Sequence, residues 1–347
     1  MAVSTWKFAR KELEARRPVF LAFVAANTRH SPGTAGAMLA MSTSGSTAGT
    51  IGGGIMEAEV LTFGEKALGS PNFPPTYQHL VHRRKAARAK QSQPSGLICA
   101  GQQTNVYATL WPERDLDTLQ GIIDGLEEDS GALLEISPEG LNLSKGEESW
   151  KHPFGFEEKG EAGDFLFFQR LFNWKRIAII GGGHCGLALS RTMNHLGYHV
   201  AIFDDRADLF TMKENPYAHQ KHIVADLARA GELIDHRSWT HVAVMTANLP
   251  SDVRGLFGVV NYSFPYVAVM GAPAKLQRIK EELLSLGIGK ESIDKIRAPI
   301  GVPMTSNTPE EIAISVAAEL LQLREELFFT IAQTGKFLGA PGVLPTS

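Results

Sequence analysis

Arg176-Ile177-Ala178-Ile179-Ile180-Gly181-Gly182-Gly183-His184-Cys185-Gly186 decides the fold of the C-terminal half. The first five residues are isoleucine-rich and suit a short buried strand. The glycines that follow have G-x-G-x-x-G spacing and lead into a helical run, Leu187 to Leu196, which Gly197 closes. A second strand, His199 to Phe203, ends in Asp204-Asp205. Strand, glycine loop, helix, strand and acid in this order are the dinucleotide-fold arrangement. In such a loop the first glycine permits the turn, the second lets backbone meet a pyrophosphate, and the third lets helix and strand pack closely. Gly181, Gly183, His184, Gly186 and Asp204 are therefore candidate cofactor-binding residues for NAD(P), with Asp204 placed to bond a ribose hydroxyl. The same glycines also serve a bare strand-to-helix turn, so the fold reading stands with or without a nucleotide. His184 and Cys185 read as loop and packing residues rather than a catalytic pair.

Working outward, further strands are expected at His222 to Val224, His241 to Met245 and Tyr266 to Met270, with helical segments between them, which continues a parallel sheet. Gly271-Ala272-Pro273 ends the last strand before a helix from Ala274 to Leu286. Thr308-Pro309-Glu310-Glu311 has the N-cap, proline and glutamate pattern of a capping box and opens a helix to about Leu327.

Upstream, Trp6 to Arg17 suits a short helix, and Val19 to Ala25 is an unbroken apolar run that reads as a buried strand. Thr28-Arg29-His30-Ser31-Pro32-Gly33-Thr34-Ala35-Gly36 is a turn-rich loop before a second strand, Ala37 to Met41. Gly49-Thr50-Ile51-Gly52-Gly53-Gly54 then leads into a helix from Ile55 to Leu68. Unpaired N–H groups at a helix start suit an anion such as phosphate, and Glu57 sits favourably against the helix dipole. The alternative reading of these glycines is a tight strand-to-helix connection. Gly96-Leu97-Ile98-Cys99-Ala100-Gly101-Gln102-Gln103-Thr104 places a thiol and two amides before a strand from Asn105 to Trp111. A soft metal favours such a thiolate, whereas most free cysteines are small buried apolar groups. Five cations lie between Arg83 and Lys90, either as a solvated run or as a flap over a phosphate-bearing ligand. A helix from Leu116 to Asp129 and a strand from Ala132 to Ser137 follow. The polar stretch from Glu139 to Glu161 suggests a linker there or shortly after, which gives domains 1–160 and 161–347. The fold class is α/β: an N-terminal α/β domain plus a C-terminal Rossmann-like parallel-sheet domain.

A length of 347 residues accommodates two cores. The net charge of −3 gives no overall attraction to nucleic acid or an anionic membrane. Cys99 and Cys185 are the two cysteines, too far apart in sequence and too few for a disulfide framework or a cysteine-rich zinc site. No signal peptide or membrane-spanning run is read, so a cytoplasmic protein is expected.

The combined motifs resemble the XdhC/CoxI family, accessory proteins for xanthine dehydrogenase and related molybdenum hydroxylases. The resemblance rests on Ser31-Pro32 with Gly36-Ala37-Met38-Leu39, Gly49 to Gly54 with Glu57, and the Cys99 loop. It extends through Ile179 to Gly186 with Asp204-Asp205-Arg206, and through Ala298-Pro299-Ile300-Gly301 leading to Thr308-Pro309-Glu310-Glu311-Ile312-Ala313. It implies a chaperone that binds the molybdenum cofactor and protects it while a terminal oxo ligand is exchanged for sulfido. It also implies a cysteine desulfurase as sulfur donor, an apo molybdenum hydroxylase as recipient, and a homodimer. On this reading Cys99 touches molybdenum, while Gln102, Gly52, Gly53, Gly54 and Glu57 form the cofactor pocket. Relatives often carry a cysteine where Ile55 stands and a Gly-Ser-Arg-Arg-Lys element where this chain has Gly271-Ala272-Pro273-Ala274-Lys275. Two other readings are an NAD(P)-dependent oxidoreductase and a nucleotide-sensing regulator.

Overall fold

The computed structural model describes residues 3–28, 31–71, 73–82, 101–144, 153–160, 163–305 and 308–328. The chain divides into two compact units between Phe172 and Asn173.

The N-terminal unit contains α1 (Val3–Glu14), β1 (Val19–Asn27), β2 (Met38–Ser42), β3 (Thr47–Gly49), α2 (Gly54–Leu68), β4 (Thr76–His82), β5 (Gly101–Leu110), α3 (Pro112–Glu127), β6 (Leu133–Ser137), β7 (Gly140–Ser144), β8 (Phe154–Glu158) and β9 (Phe165–Arg170). One antiparallel sheet has the order β3-β2-β1-β5-β4, and a second has the order β7-β6-β9-β8. The unbroken apolar run of β1 is explained by cover on both faces. Phe20, Ala22 and Val24 share a core with Met56 and Val60 of α2. On the other face, the Phe23 ring lies 5.8 Å from that of Trp6 in α1 and 5.4 Å from that of Phe167 in β9. A register shift between Val24 and Ala26 puts a bulge in β1, just before Asn27 pairs with Gln103. Such a bulge re-aims the end of the strand.

The polar stretch itself contains β7 and β8, and β9 completes their sheet, so the N-terminal unit runs past residue 160 and ends at Phe172, shortly after that stretch. β7 is an edge strand with no fully buried residue, and so its composition is that of a loop.

The C-terminal unit contains β10 (Arg176–Ile180), α4 (His184–His195), β11 (His199–Asp204), α5 (Phe210–Lys213), β12 (Gln220–Ile223), α6 (Ala230–Leu233), β13 (Thr240–Val244), α7 (Leu249–Phe257), β14 (Tyr266–Val269), α8 (Pro273–Ser285), α9 (Lys290–Asp294) and α10 (Pro309–Phe328). Its sheet is wholly parallel, with the order β12-β11-β10-β13-β14. The strand order therefore reverses between β10 and β13, where open α/β sheets form their ligand crevice. Ile177 and Ile179 of β10 pack with residues of α4 and α10, whereas Ala178 and Ile180 pack with residues of α7 and α8. The capping box forms: the Glu311 N–H donates to Thr308 Oγ1 at 3.2 Å, and the Thr308 N–H donates to the Glu311 carboxylate at 3.1 Å. Among the described residues no helix is long and apolar enough to cross a membrane.

His241 of β13 is buried between the rings of Tyr198 and Tyr266, and its Nδ1–H donates to the Arg176 carbonyl at 3.0 Å. Burial pushes its pKa down to about 4 from an ordinary 6.5. The unfolded chain then takes up a proton that the folded chain refuses, so stability falls as pH drops from 6.5 towards 4. We expect this to remove on the order of 2–3 kcal/mol. Denaturant titrations across that window should show a steeper pH dependence for the natural chain than for His241→Phe. Identical slopes would remove His241 from the acid response.

Candidate functional sites at two glycine-rich loops

In the N-terminal unit the loop before β2 and the loop before α2 lie directly against each other. A Cβ on Gly33 would stand 2.3 Å from the Ile51 carbonyl oxygen, and one on Gly52 would stand 2.5 Å from the Pro32 carbonyl carbon. Backbone contact this close excludes any side chain. Gln103, at the start of β5 and fully buried, ties the two loops together. Its Oε1 accepts from Ser31 Oγ and the Gly33 N–H, both at 3.0 Å. Its Nε2 donates to the Ile51 carbonyl at 3.2 Å and to Asn105 Oδ1 at 2.8 Å. Asn105 in turn donates to the Tyr107 hydroxyl at 3.3 Å, giving an internal polar ladder along alternate residues of β5.

The loop that enters the next helix is held by an acid on that helix's first turn. One oxygen of Glu57 accepts from Thr50 Oγ1 at 2.6 Å, the Ile51 N–H at 2.9 Å and the Gly53 N–H at 3.1 Å. The internal carboxylate therefore occupies the Ile51 and Gly53 donors beside the place expected for a phosphate. What remains open is backbone surface: Gly52 and Gly54 are exposed, and a Cβ on Gly53 would meet no heavy atom within 4 Å. Gln102 lies one residue from Gln103, so strand alternation turns its side chain to the opposite face. Cys99 and the cationic run from Arg83 to Lys90 lie outside the described residues. Among the described residues no group of three or more histidines, cysteines and acids could hold a metal.

In the C-terminal unit each glycine of the fingerprint has a separate reason. Gly181 has φ +123°, and a Cβ there would stand 2.3 Å from the Met245 carbonyl oxygen. A Cβ on Gly186 would stand 2.0 Å from the Gly181 carbonyl oxygen, whereas one on Gly183 would meet nothing within 4 Å. Gly183 caps α4, and His184 is exposed on its first turn. Cys185 packs on the core beneath, and its thiol is pushed up by burial and then by Glu310.

Asp204, at the end of β11, is buried and fully engaged. Its carboxylate accepts from the Gly182 N–H at 2.7 Å, the Arg206 N–H at 2.9 Å, and Arg206 Nε and Nη2, each at 2.8 Å. Burial favours its neutral form, but these hydrogen bonds outweigh it and hold the carboxyl below its ordinary value. The next residue, Asp205, is exposed. Lys275, in the short counterpart of the Gly-Ser-Arg-Arg-Lys element, pairs with the buried carboxylate of Asp252. Asp252 also accepts from the Thr246 N–H at 3.0 Å and from Thr246 Oγ1 at 2.6 Å. A cleft of about 340 Å³ opens beside these groups, at the carboxyl ends of β11 and β13.

Two family models match these units. The XdhC and CoxI family model matches residues 12–71, which include both N-terminal loops, and the XdhC Rossmann domain model matches residues 177–320. The chain belongs to the XdhC and CoxI family. A crystal structure described as a xanthine dehydrogenase from Bacillus halodurans has a similar fold: its TM-score is 0.65 at 19% identity, over 94% of this chain and 98% of that one. A probable xanthine dehydrogenase subunit of Bacillus subtilis (strain 168) is 26% identical over 164 residues, 47% of this chain and 47% of its own length. YqeB of Escherichia coli (strain K12) is 28% identical over 149 residues, 43% of this chain and 27% of its own length. The matches thus span about half or less of these two relatives.

The loop clasp gives a direct test. Gln103→Ala leaves a buried N–H and a buried carbonyl without partners, which costs about 2–4 kcal/mol of unfolding free energy. Gln102→Ala, measured by the same urea titration, should change stability by less than about 0.5 kcal/mol. Equal losses from the two substitutions would disprove the clasp.

Proposed function

We propose that this XdhC-family protein is a maturation factor for a xanthine dehydrogenase-type molybdenum hydroxylase. It takes up the molybdenum cofactor as cargo, shelters it while a terminal oxo ligand is exchanged for sulfido, and passes it to the apo-hydroxylase. A cysteine desulfurase supplies the sulfur, and the protein works in the cytoplasm as a homodimer. Family membership is the observation on which the reading rests, and the paired loops of the N-terminal unit support it.

The two loops are held at backbone contact distance by Gln103, so they form a surface of fixed shape. The exposed backbone from Gly52 to Gly54 suits the flat face of a pterin. Cys99, two residues before β5 in the sequence, supplies the thiolate a soft metal prefers. The N–H groups of Ile51 and Gly53 do not fit the phosphate of the cargo while Glu57 holds them. An anion that must compete with an internal carboxylate gains little net binding energy, which suits a carrier that has to release what it holds.

The test is retention of the cofactor through gel filtration, assayed by fluorescence of the oxidised pterin. The natural chain should retain it and Cys99→Ala should lose it. Equal retention would remove Cys99 from the site, and no retention by the natural chain would overturn the maturation reading.

A further inference from the structure

We propose that the cleft of the C-terminal unit binds the adenosine diphosphate half of an NAD-type dinucleotide, holds its ribose diol on Asp205, and rejects a 2′-phosphate. The inference does not depend on the molybdenum reading, because every residue it uses lies in the C-terminal unit.

The place follows from topology. The cleft is lined by Asp205 and Arg206 beyond β11, Ala225 beyond β12, and Thr246, Asn248 and Ser251 beyond β13. It thus lies at the carboxyl ends of the strands, and the glycine loop reaches its edge where the Gly182 N–H donates to the lining residue Asp204. Its volume of about 340 Å³ lies within the range of small-molecule sites. The floor is fixed by buried chemistry, since Asp252, paired with Lys275, orients Thr246 through both its N–H and its hydroxyl.

The discrimination follows from charge. Asp204, Asp205 and Arg206 are the charged groups that line the cleft among the described residues. Arg206 is the single cation, and it commits Nε and Nη2 to Asp204. It therefore cannot present that fork to a phosphate. Asp205 remains, with its carboxylate 40% exposed and 3.9 Å from Arg206 Nε. A carboxylate accepts both hydroxyls of a ribose diol but repels a phosphate ester in the same place. Asp204, the acid at the strand end, is unsuited to that task because its oxygens are committed to Gly182 and Arg206.

The pyrophosphate position follows from the glycine loop. The open face at Gly183 lets a ligand approach the first turn of α4, a helix of 12 residues. Asp204 takes the Gly182 N–H, one residue before the cap. Gly183 has φ −70°, which alanine also adopts, so Gly183→Ala should fold normally and still obstruct this approach.

Isothermal titration of the full chain with NAD, ADP-ribose and NADP tests the proposal. NAD and ADP-ribose should bind with similar affinity, and NADP roughly tenfold or more weakly. Asp205→Ala should weaken NAD and narrow its advantage over NADP, while Gly183→Ala should weaken all three, both with unchanged melting temperatures. Equal binding of NAD and NADP would overturn the assignment of the diol to Asp205. Binding of NAD without ADP-ribose would overturn the adenosine site, and binding of none of the three would overturn the proposal as a whole.

Discussion

Backbone N–H groups held by an internal carboxylate are the constraint on which both glycine-rich loops depend. Glycine lets chains approach within contact distance but leaves the loop with many conformations to lose. Glu57 collects two N–H groups and a hydroxyl in one unit, and Asp204 collects two N–H groups and a guanidinium in the other. Each acid selects one loop conformation. The consequences differ because Glu57 takes the N–H of the cap residue Gly53 itself, whereas Asp204 stops one residue short of the cap at Gly183.

This difference separates the proposed tasks of the two units. A carboxylate on the cap N–H competes with a phosphate approaching that helix end, so the N-terminal loops are suited to a cargo held through backbone surface and a thiolate. An open helix end beside a cleft is suited to a nucleotide. His184 and Cys185 stand on the first turn of α4, but the first is exposed and the second packs on the core, so neither is arranged as a catalytic pair.

Much of the C-terminal fold was legible in the sequence because its determinants are local. The glycine spacing, the isoleucine-rich β10 and the Thr308 capping box each depend on residues within a few positions. The exact domain boundary, at Phe172 shortly past the polar stretch, was less legible. β7 is a half-exposed edge strand, and its pairing with β6 and the closure of that sheet by β9 are contacts that composition does not encode. Sequence reading named Gln102 and Asp204 as site residues, whereas in the structure it is Gln103 that ties the N-terminal loops together, and the Asp204 carboxylate is committed to Gly182 and Arg206. Successive side chains along a strand face opposite ways, and sequence alone does not say which of two neighbours meets a loop. The signal for Gln103 was present as polar residues at alternate positions, Gln103, Asn105 and Tyr107, along one face of β5, but Gln102, Thr104 and Thr109 in the same strand blur it. Cys99 lies outside the described residues, so its part rests on thiolate chemistry and family resemblance.

The most direct measurement of the central claim is residue-resolved amide hydrogen exchange on the natural chain, Glu57→Ala and Asp204→Ala. Glu57→Ala should speed exchange at Ile51 and Gly53 by about tenfold or more and leave Gly182 unchanged, and Asp204→Ala should do the reverse. Unchanged protection in both loops would show that the carboxylates do not hold them, and would contradict the account.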